Sequence, residues 1–572
     1  MTVLQLLNKH VTLALSQIGL DHVQAVVRPA SRPEFGDYQA NGVMNAAKVL
    51  KMDPMKLAKQ VVGKLDLKGV VHQIDVVKPG FINFHLDTEF LSKQLKVALA
   101  DPKLGIHLPK PQHIMVEYSS PNIAKEMHVG HLRTTVIGDA LTRIFGYLGH
   151  HVVRGNHVGD WGTQFGMLIA YLVEIQKAGK QAMELADLEE FYRKAKVRFD
   201  EDEAFADVSR DYVTKLQGGQ PEILALWQQF VDISLEHCQA VYEKLDVLLT
   251  RDDAKGESSY NEDLPTVVED LEKAGLLAVD AGAKVVYLEE FRNKDGKPLG
   301  VIVQKRDGGF LYTATDLAAV RYRHRVLKLD RVLYVVDARQ SQHFQQIFRI
   351  CRKAGFAPPE MVLEHIGFGL VLGSDGKPFK TRSGDTVKMI ALLDEAIDRA
   401  LVIVKQKNPD LSEKEQLKLA HAIGIGAIRY ADLSKHRTSD YIFDWDTILA
   451  FEGNTSLYIQ YAYTRIQSIF RKAGAFSGGG SINLVDPTER RLANHLLQFE
   501  DVLHSVVEGC YVHHLCTFLY QLANIFSNFY ENCSILKSEP ALKNSRLQLL
   551  ALTARTLKVG MELLGIRVLE AM

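Results

Sequence analysis

The stretch Val116–Asp139, VEYSSPNIAKEMHVGHLRTTVIGD, decides how the rest of the chain is read. The apolar run Ile114–Tyr118 predicts a buried strand, Pro121 breaks the polar loop after it, and His128-Val129-Gly130-His131 opens a helix. The start of a helix leaves backbone N–H groups unpaired and carries the positive end of the helix dipole, which together seat a phosphate. Side chains three residues apart share a helix face, so His128 and His131 can address one ligand. Gly130 between them removes the Cβ that would hold a flat base away from the backbone. Strand, loop and helix in this order describe an ATP site.

Outward from this centre the pattern is βαβ. The helix after HVGH stops at Gly149, and His151–Arg154 begins the next strand. A second half follows downstream: strand Val332–Val336, helix Gln342–Ala354 stopped by Gly355, and strand Met361–Phe368. Two such halves predict an α/β fold with a doubly wound parallel sheet, whose ligands sit at the carboxyl ends of the strands. Residues 171–230 are charge-rich and helical and read as an insertion in that sheet. Residues 1–110 read as a small α/β module, with strands at Val23–Val27, Ile74–Val77 and Phe81–Leu86 and a helix over Asn41–Leu50. The run HLPKPQ (His107–Gln112) reads as a linker. Beyond about residue 440 amphipathic helix dominates, as in a bundle, with AFSGGGS (Ala475–Ser481) its one clear interruption. The expected domains are therefore 1–110, 111–440 and 441–572.

A length of 572 residues allows about three or four domains with large buried cores. With 47% apolar and 24% charged residues and no low-complexity tract, fibrous and disordered classes are excluded. No apolar run reaches the ~18 residues a membrane span needs. The opening MTVLQLLNKHVTLALSQ has neither a basic leader nor a small-residue cleavage site, so a soluble, cytoplasmic protein is expected. Five scattered cysteines without a C-x-x-C suit a reducing compartment better than a disulfide framework. Cys510, His513, His514 and Cys516 fall in an apolar helical run and read as core packing, so no structural metal is expected. A net charge of −1 does not advertise a nucleic-acid partner, yet residues 1–110 hold fourteen Lys+Arg against nine Asp+Glu, which suits a polyanion.

The strand–loop–HVGH order resembles the HIGH motif of class I aminoacyl-tRNA synthetases and of their nucleotidyltransferase relatives. The longer string SPNIAKEMHVGHLR resembles the arginyl-tRNA synthetase family, particularly its bacterial form. GNHVGDWGTQFG (Gly155–Gly166), YIQYAYTRIQSI (Tyr458–Ile469) and the closing LLGIRVLEAM are similar to that family as well. The resemblance implies a class I synthetase Rossmann-like sheet, an N-terminal domain that meets the tRNA elbow, and a C-terminal helical anticodon-binding domain. The implied reaction is attachment of L-arginine to tRNA(Arg) through an arginyl-adenylate, with ATP as substrate accompanied by Mg2+. A monomer with no DNA or membrane partner is implied too, as is a need for bound tRNA before the amino acid is activated.

The resemblance also assigns residues. His128, Gly130 and His131 fall on ATP, where charge builds on the phosphates and preorganised donors and cations carry the catalysis. GSDGKPFKTRSGDTVK (Gly373–Lys388) stands where class I enzymes have KMSK, and PFKT departs from it at Pro378 and Thr381. Arginyl enzymes place a lysine just before HIGH instead; Lys125 occupies that spot, with Lys377 or Lys380 as the mobile partner. A guanidinium offers five donors and no acceptor, so its pocket must be built of acceptors. Tyr312 and Asp316 lie four apart on one helix face, and with Gln340 they match the family's arginine pocket. Glu117, Asn122 and His128 match the residues that hold the substrate's ammonium and carboxylate, and Ser119 joins this arginine-binding set. Tyr461 and Tyr463 are expected to stack on unpaired tRNA bases. Two rivals fit parts of the chain. A small nucleotidyltransferase has no use for the helical C-terminal block, and a catalytically silent tRNA-binding paralogue has no use for an intact set of site residues.

Overall fold

The computed structural model describes residues 1–572 apart from 124, 178–187, 380–386, 475–477 and 572. The chain divides into two compact units. One joins Met1–Leu108 to Ala450–Glu562 and Arg567–Met572; the other joins Pro109–Leu449 to Leu563–Ile566.

In the first unit, strands β1 (Val27–Pro29), β2 (Tyr38–Ala40), β3 (Val71–Val77) and β4 (Phe81–Leu86) form an antiparallel sheet in the order β1-β2-β4-β3. Its inner face presents Tyr38, Ala40, Ile82, Phe84 and Leu86, and helix Val3–Ser16 lays Leu7, Val11 and Leu15 on the same core. The strand expected over 23–27 begins only at Val27, because Val26 takes a left-handed backbone with φ 47° and turns the chain. The later part of this unit is helical: Ser456–Ala473, Pro487–Leu496, Phe499–Gly509, His513–Asn532 and Pro540–Leu563. The chain also breaks after Gly509, where Cys510 is left-handed (φ 54°), and again between Asn532 and Pro540, so AFSGGGS does not interrupt it alone. Cys510 and Cys516 are buried.

In the second unit, strands β5 (His113–Glu117), β6 (His151–Val158) and β7 (Ala254–Gly256) are followed by an antiparallel ribbon of β8 (Leu277–Asp280), β9 (Ala283–Arg292) and β10 (Pro298–Gln304). Strands β11 (Arg331–Tyr334) and β12 (Val362–His365) then complete a parallel sheet in the order β12-β11-β5-β6-β7. The ribbon is unanticipated by the sequence: β9 breaks alternation at the buried pair Val285–Val286 and the exposed pair Glu289–Glu290, although β10 alternates from Gly300 to Val303. Ile114, Val116, Val332 and Leu333 have no exposed surface, and burying each is worth roughly 1.5–3 kcal/mol. Helices cover both faces, as a parallel sheet requires. One of them, Leu132–Tyr147, approaches so closely that a Cβ on Gly138 would sit inside the Tyr118 side chain. The inserted helices run further than 171–230, from Thr163–Lys177 through Leu188–Glu201 and Glu203–Gln217 to Pro221–Lys244. From central β5 the chain winds to one side through β6 and β7, then to the other through β11 and β12. The winding reverses between β5 and β11, so a crevice opens beyond the paired residues Glu117 and Tyr334.

Candidate active site

Two serines shape the floor of that crevice. Ser119 and Ser120 both take left-handed backbone, φ 67° and 45°, which costs a non-glycine residue of the order of 1 kcal/mol and needs support. Support comes from every side. The Ser119 N–H donates to Thr134 Oγ1 at 3.0 Å, and that hydroxyl donates to the Val335 carbonyl at 2.6 Å. Ser119 Oγ lies 2.8 Å from the Tyr242 hydroxyl, and the Ser120 N–H donates to Asn156 Oδ1 at 3.0 Å. The Ser119 hydroxyl is thus buried and taken up internally, which makes it a support of the turn. Asn122, next along, exchanges two hydrogen bonds with Gln164, at 2.7 and 3.3 Å.

The HVGH string forms a single 3-10 turn, Val129–His131, before helix Leu132–Tyr147 begins. Within it the Gly130 N–H donates to His128 Nδ1 at 3.0 Å. His131 Nδ1 lies 3.2 Å from the His128 N–H and 3.3 Å from the His128 carbonyl. With its Nδ1 accepting, the His128 imidazole keeps its proton on Nε2 and presents it as a donor beside the His131 ring. Their centroids are 4.1 Å apart. Burial pushes the His131 pKa down to about 4, helped by His128. His128 is lowered too, first by burial and then by the Lys125 charge. The turn is thus a pair of neutral N–H donors. A Cβ on Gly130 would stand 2.7 Å from His128 Cε1, which explains the glycine.

A cluster of carboxylates lies on the other side of the crevice. Helix Tyr312–Arg325 carries Tyr312 and Asp316 on one face. Asp316 Oδ2 accepts from His343 Nε2 at 2.6 Å, and the His343 ring meets the Tyr312 ring edge-on at 5.0 Å. Glu257, in the turn after β7, is largely buried; burial first, then the like charges of Asp316 and Asp160, raise its pKa to about 7. Asp160 fixes that turn, accepting from the Ser258 N–H at 2.8 Å and from the Ser258 hydroxyl at 2.6 Å. Gln340 is exposed in the short turn Ala338–Gln340 just after β11. The buried Glu117 carboxylate is held by Arg323.

The basic loop reaches the site from both ends. Val371–Leu372 pairs with Tyr441–Ile442 and turns tightly through Gly376 (φ 72°), leaving Lys377 exposed. Lys380, with Thr381 and Arg382, lies outside the described residues. At the far end the Val129 N–H donates to the Val387 carbonyl at 2.9 Å, and the Met389 N–H to the Met127 carbonyl at 2.9 Å. Lys388 Nζ pairs with Glu126 at 3.2 Å. Lys125 Nζ sits 4.4 Å from the centre of the Tyr192 ring, on an inserted helix, while its charge is felt at His128.

In the first unit Tyr461 is 48% exposed, whereas Tyr463 is 3% exposed with its hydroxyl 3.1 Å from Glu570. Stacking on a base is open to Tyr461 and closed to Tyr463, whose ring is in the core. Residues absent from the sequence reading are His343, Glu257, Tyr242 and Arg323. Of these Arg323 was within reach, since Tyr312, Asp316 and Arg323 repeat at four and seven on one helix face. Nothing local marks Glu257 or Tyr242.

Comparison with known proteins follows the same lines. The family model described as "tRNA synthetases class I (R), catalytic domain" matches residues 94–445. "Arginyl tRNA synthetase N terminal domain" matches 5–86, and "DALR anticodon binding domain" matches 459–572. A relative from Chromobacterium violaceum named arginine–tRNA ligase is 63% identical over 572 residues, covering all of both chains. Another from Laribacter hongkongensis with the same name is 62% identical, also with full coverage. The fold superposes on an arginyl-tRNA synthetase from Plasmodium falciparum with a TM-score of 0.88 at 31% identity, covering 100% of this chain and 99% of that one. For the Thermus thermophilus enzyme the TM-score is 0.84 at 27% identity, with full coverage of both.

Proposed function

The chain belongs to the arginyl-tRNA synthetase family of class I, and from that premise we propose how its crevice carries out the reaction. The reaction is ATP-dependent attachment of L-arginine to tRNA(Arg) through arginyl-adenylate, releasing AMP and pyrophosphate. The observation that carries the site assignment is the HVGH turn, with His128 Nδ1 taken by the Gly130 N–H, its Nε2 proton available, and the His131 ring held neutral beside it by burial. Neutral donors aimed at phosphate stabilise the charge that develops as the arginine carboxylate attacks the α-phosphate. Lys125 and Lys377 supply the cationic part, with Lys380 from the same loop.

The arginine side chain is taken by Asp316, oriented by His343, with the Tyr312 hydroxyl and Glu257 beside it. Gln340 joins this pocket; Asn122, Glu117 and His128 face the ammonium and carboxylate end, with Ser119 supporting the floor. An acceptor set of this kind rejects lysine or ornithine, whose single ammonium cannot satisfy a fork of carboxylates. Mg2+ would travel with the ATP phosphates: among the described residues no three His, Cys, Asp or Glu gather to hold it, so its ligands would be phosphate oxygens and water. Residues 1–110 would meet the tRNA elbow, and 441–572 the anticodon, with Tyr461 as a stacking residue. The enzyme would work as a cytoplasmic monomer without DNA or membrane partners; no helix among the described residues is long and apolar enough to cross a membrane.

The test is arginine-dependent exchange of labelled pyrophosphate into ATP, with and without tRNA(Arg). Exchange that requires both arginine and tRNA is expected. Exchange driven by another amino acid, or none from folded protein, would overturn the assignment.

A further inference from the structure

The HVGH helix Leu132–Tyr147 packs on helix Glu413–Leu433 through two buried ion pairs of opposite sense. Arg133 Nε lies 3.0 Å from Asp432 Oδ2, and Arg429 Nη2 lies 2.5 Å from Asp139 Oδ2. A slip of one turn would strand four charges in the core, so the pairs fix the register of the two helices. Arg133 reaches further. Its Nη1 donates to the Ser439 carbonyl at 2.8 Å, and its guanidinium carbon lies 5.3 Å from the Tyr441 ring and 6.0 Å from the Phe368 ring.

Ser439 and Tyr441 belong to the segment that carries the Lys377 hairpin. Tyr441 and Ile442 pair with Val371 and Leu372, the Leu370 N–H donates to Asp440 Oδ1 at 2.6 Å, and the Phe443 N–H donates to the Leu372 carbonyl at 2.9 Å. The Phe379 ring rests on Phe443 at 5.0 Å. A continuous set of contacts therefore runs from the HVGH turn, two residues ahead of Arg133, through Ser439 and Tyr441 to the hairpin. Stability alone is a weak account of the Arg133–Asp432 pair, since a buried ion pair is often replaceable by apolar residues at no loss.

We propose that Arg133 and Asp432 are positioning residues that hold the Lys377 hairpin in phase with the HVGH turn, so that both sets of donors act on one ATP. This rests on the reading of those two elements as the ATP site. The pair is buried, with the two side chains 2% and 0% exposed, and offers no surface to arginine or ATP. Its loss should therefore fall on the step that uses ATP and spare arginine binding.

The experiment uses the full chain carrying R133M/D432L, which removes both charges together, and R133K, which keeps a charge but loses the fork. Melting temperature, tRNA-dependent pyrophosphate exchange, the KM values for ATP and arginine, and transfer from supplied arginyl-adenylate to tRNA are measured. Expected for R133M/D432L is a melting temperature near that of the parent, exchange kcat lower by about 10–100-fold, and a several-fold higher KM for ATP. The KM for arginine and the transfer rate should stay within about threefold, a split that a merely structural role would not produce. Folded double variant with exchange kcat and ATP KM within twofold of the parent overturns the proposal. If the double variant does not fold, R133K decides: the same split supports the proposal, and unchanged exchange or an equal rise in both KM values overturns it. A parent chain without any exchange would overturn the ATP reading itself, and this inference with it.

Discussion

Asp139 Oδ2 and Arg429 Nη2 lie 2.5 Å apart, and neither side chain has any exposed surface. Arg429 also donates to the carbonyls of Leu564 at 2.8 Å and Leu245 at 3.0 Å, while Asp139 accepts from the Leu248 N–H at 2.8 Å. Removing one partner of such a pair leaves an uncompensated buried charge, which costs about 3–5 kcal/mol. Arg429→Met should approach the lower figure, because Arg143 still reaches Asp139 at 2.8 Å. All three tryptophans, Trp161, Trp227 and Trp445, lie in the second unit, so tryptophan fluorescence during urea unfolding reports on it. An unshifted midpoint would contradict the expectation.

Gly130→Ala tests the turn itself. Its Cβ would press the His128 ring from 2.7 Å and break the Gly130-to-His128 hydrogen bond that fixes the tautomer. Exchange should fall about 10–100-fold with melting temperature changed little, since the turn is at the mouth of the crevice. A variant of parental activity would show that the tautomer is set elsewhere.

His131 sets a direction with pH. Its folded pKa of about 4 lies below the usual 6.5, so the unfolded chain binds a proton first as the solution is acidified. The stability that depends on its neutral form is fully present above 6.5 and is lost as pH falls from there toward 4. His495, also lowered to about 4 by burial, acts in the same sense in the first unit. Urea midpoints measured between pH 7 and pH 5 should decline, and His495→Gln should lessen the decline in the first unit's transition. Equal slopes in both proteins would rule His495 out.

Glu257 predicts a pH dependence of substrate affinity. Its pKa of about 7 reflects burial beside Asp316 and Asp160, so near pH 6 it is mostly protonated and near pH 8 mostly ionised. With a raised pKa the folded state is favoured below 4.5 and loses that advantage as pH rises to 7. An arginine guanidinium reverses this by favouring the ionised form, so the KM for arginine should fall several-fold from pH 6 to pH 8. Glu257→Gln should flatten the profile, and an unaltered slope in that variant would remove Glu257 from the pocket.

Asp316→Asn should raise the KM for arginine by about 30-fold or more while leaving that for ATP near the parent value, because a charge-assisted pair worth about 2 kcal/mol or more is lost. His343→Gln should produce a smaller rise in the same constant, since it orients Asp316 from 2.6 Å without being its charge partner. Equal effects on both substrates would point to a folding defect.

The sheet and its helices were legible because their signals are local: an apolar strand at Ile114–Tyr118, a glycine stop at Gly149, a repeat of the same order after Val332. The turn that gathers His128, Gly130 and His131 was legible for the same reason, being packed into four residues. The ion pair of Glu117 was not legible in this way. Its partner Arg323 is distant in the chain, and only the pairing of β5 with β11 and the packing of helix Tyr312–Arg325 bring the two together. Tyr463 failed differently: an aromatic ring at a helical position fits a core or a surface equally, and the bundle chose the core. Glu257 had no signal, because its character comes from burial first and then from two carboxylates far along the chain.

The first unit is built from segments at opposite ends of the chain, and this gives its formation an order in time. The sheet of residues 1–108 draws Leu484 and Leu497 into its apolar core and receives Arg490 on Asp37 at 2.6 Å. During synthesis those partners emerge only after residues 109–449 have been made, a stretch that has its own core and can close on itself meanwhile. A ribosome-bound chain whose first 449 residues have emerged should therefore hold a protected nucleotide-binding sheet beside an N-terminal module still open to protease.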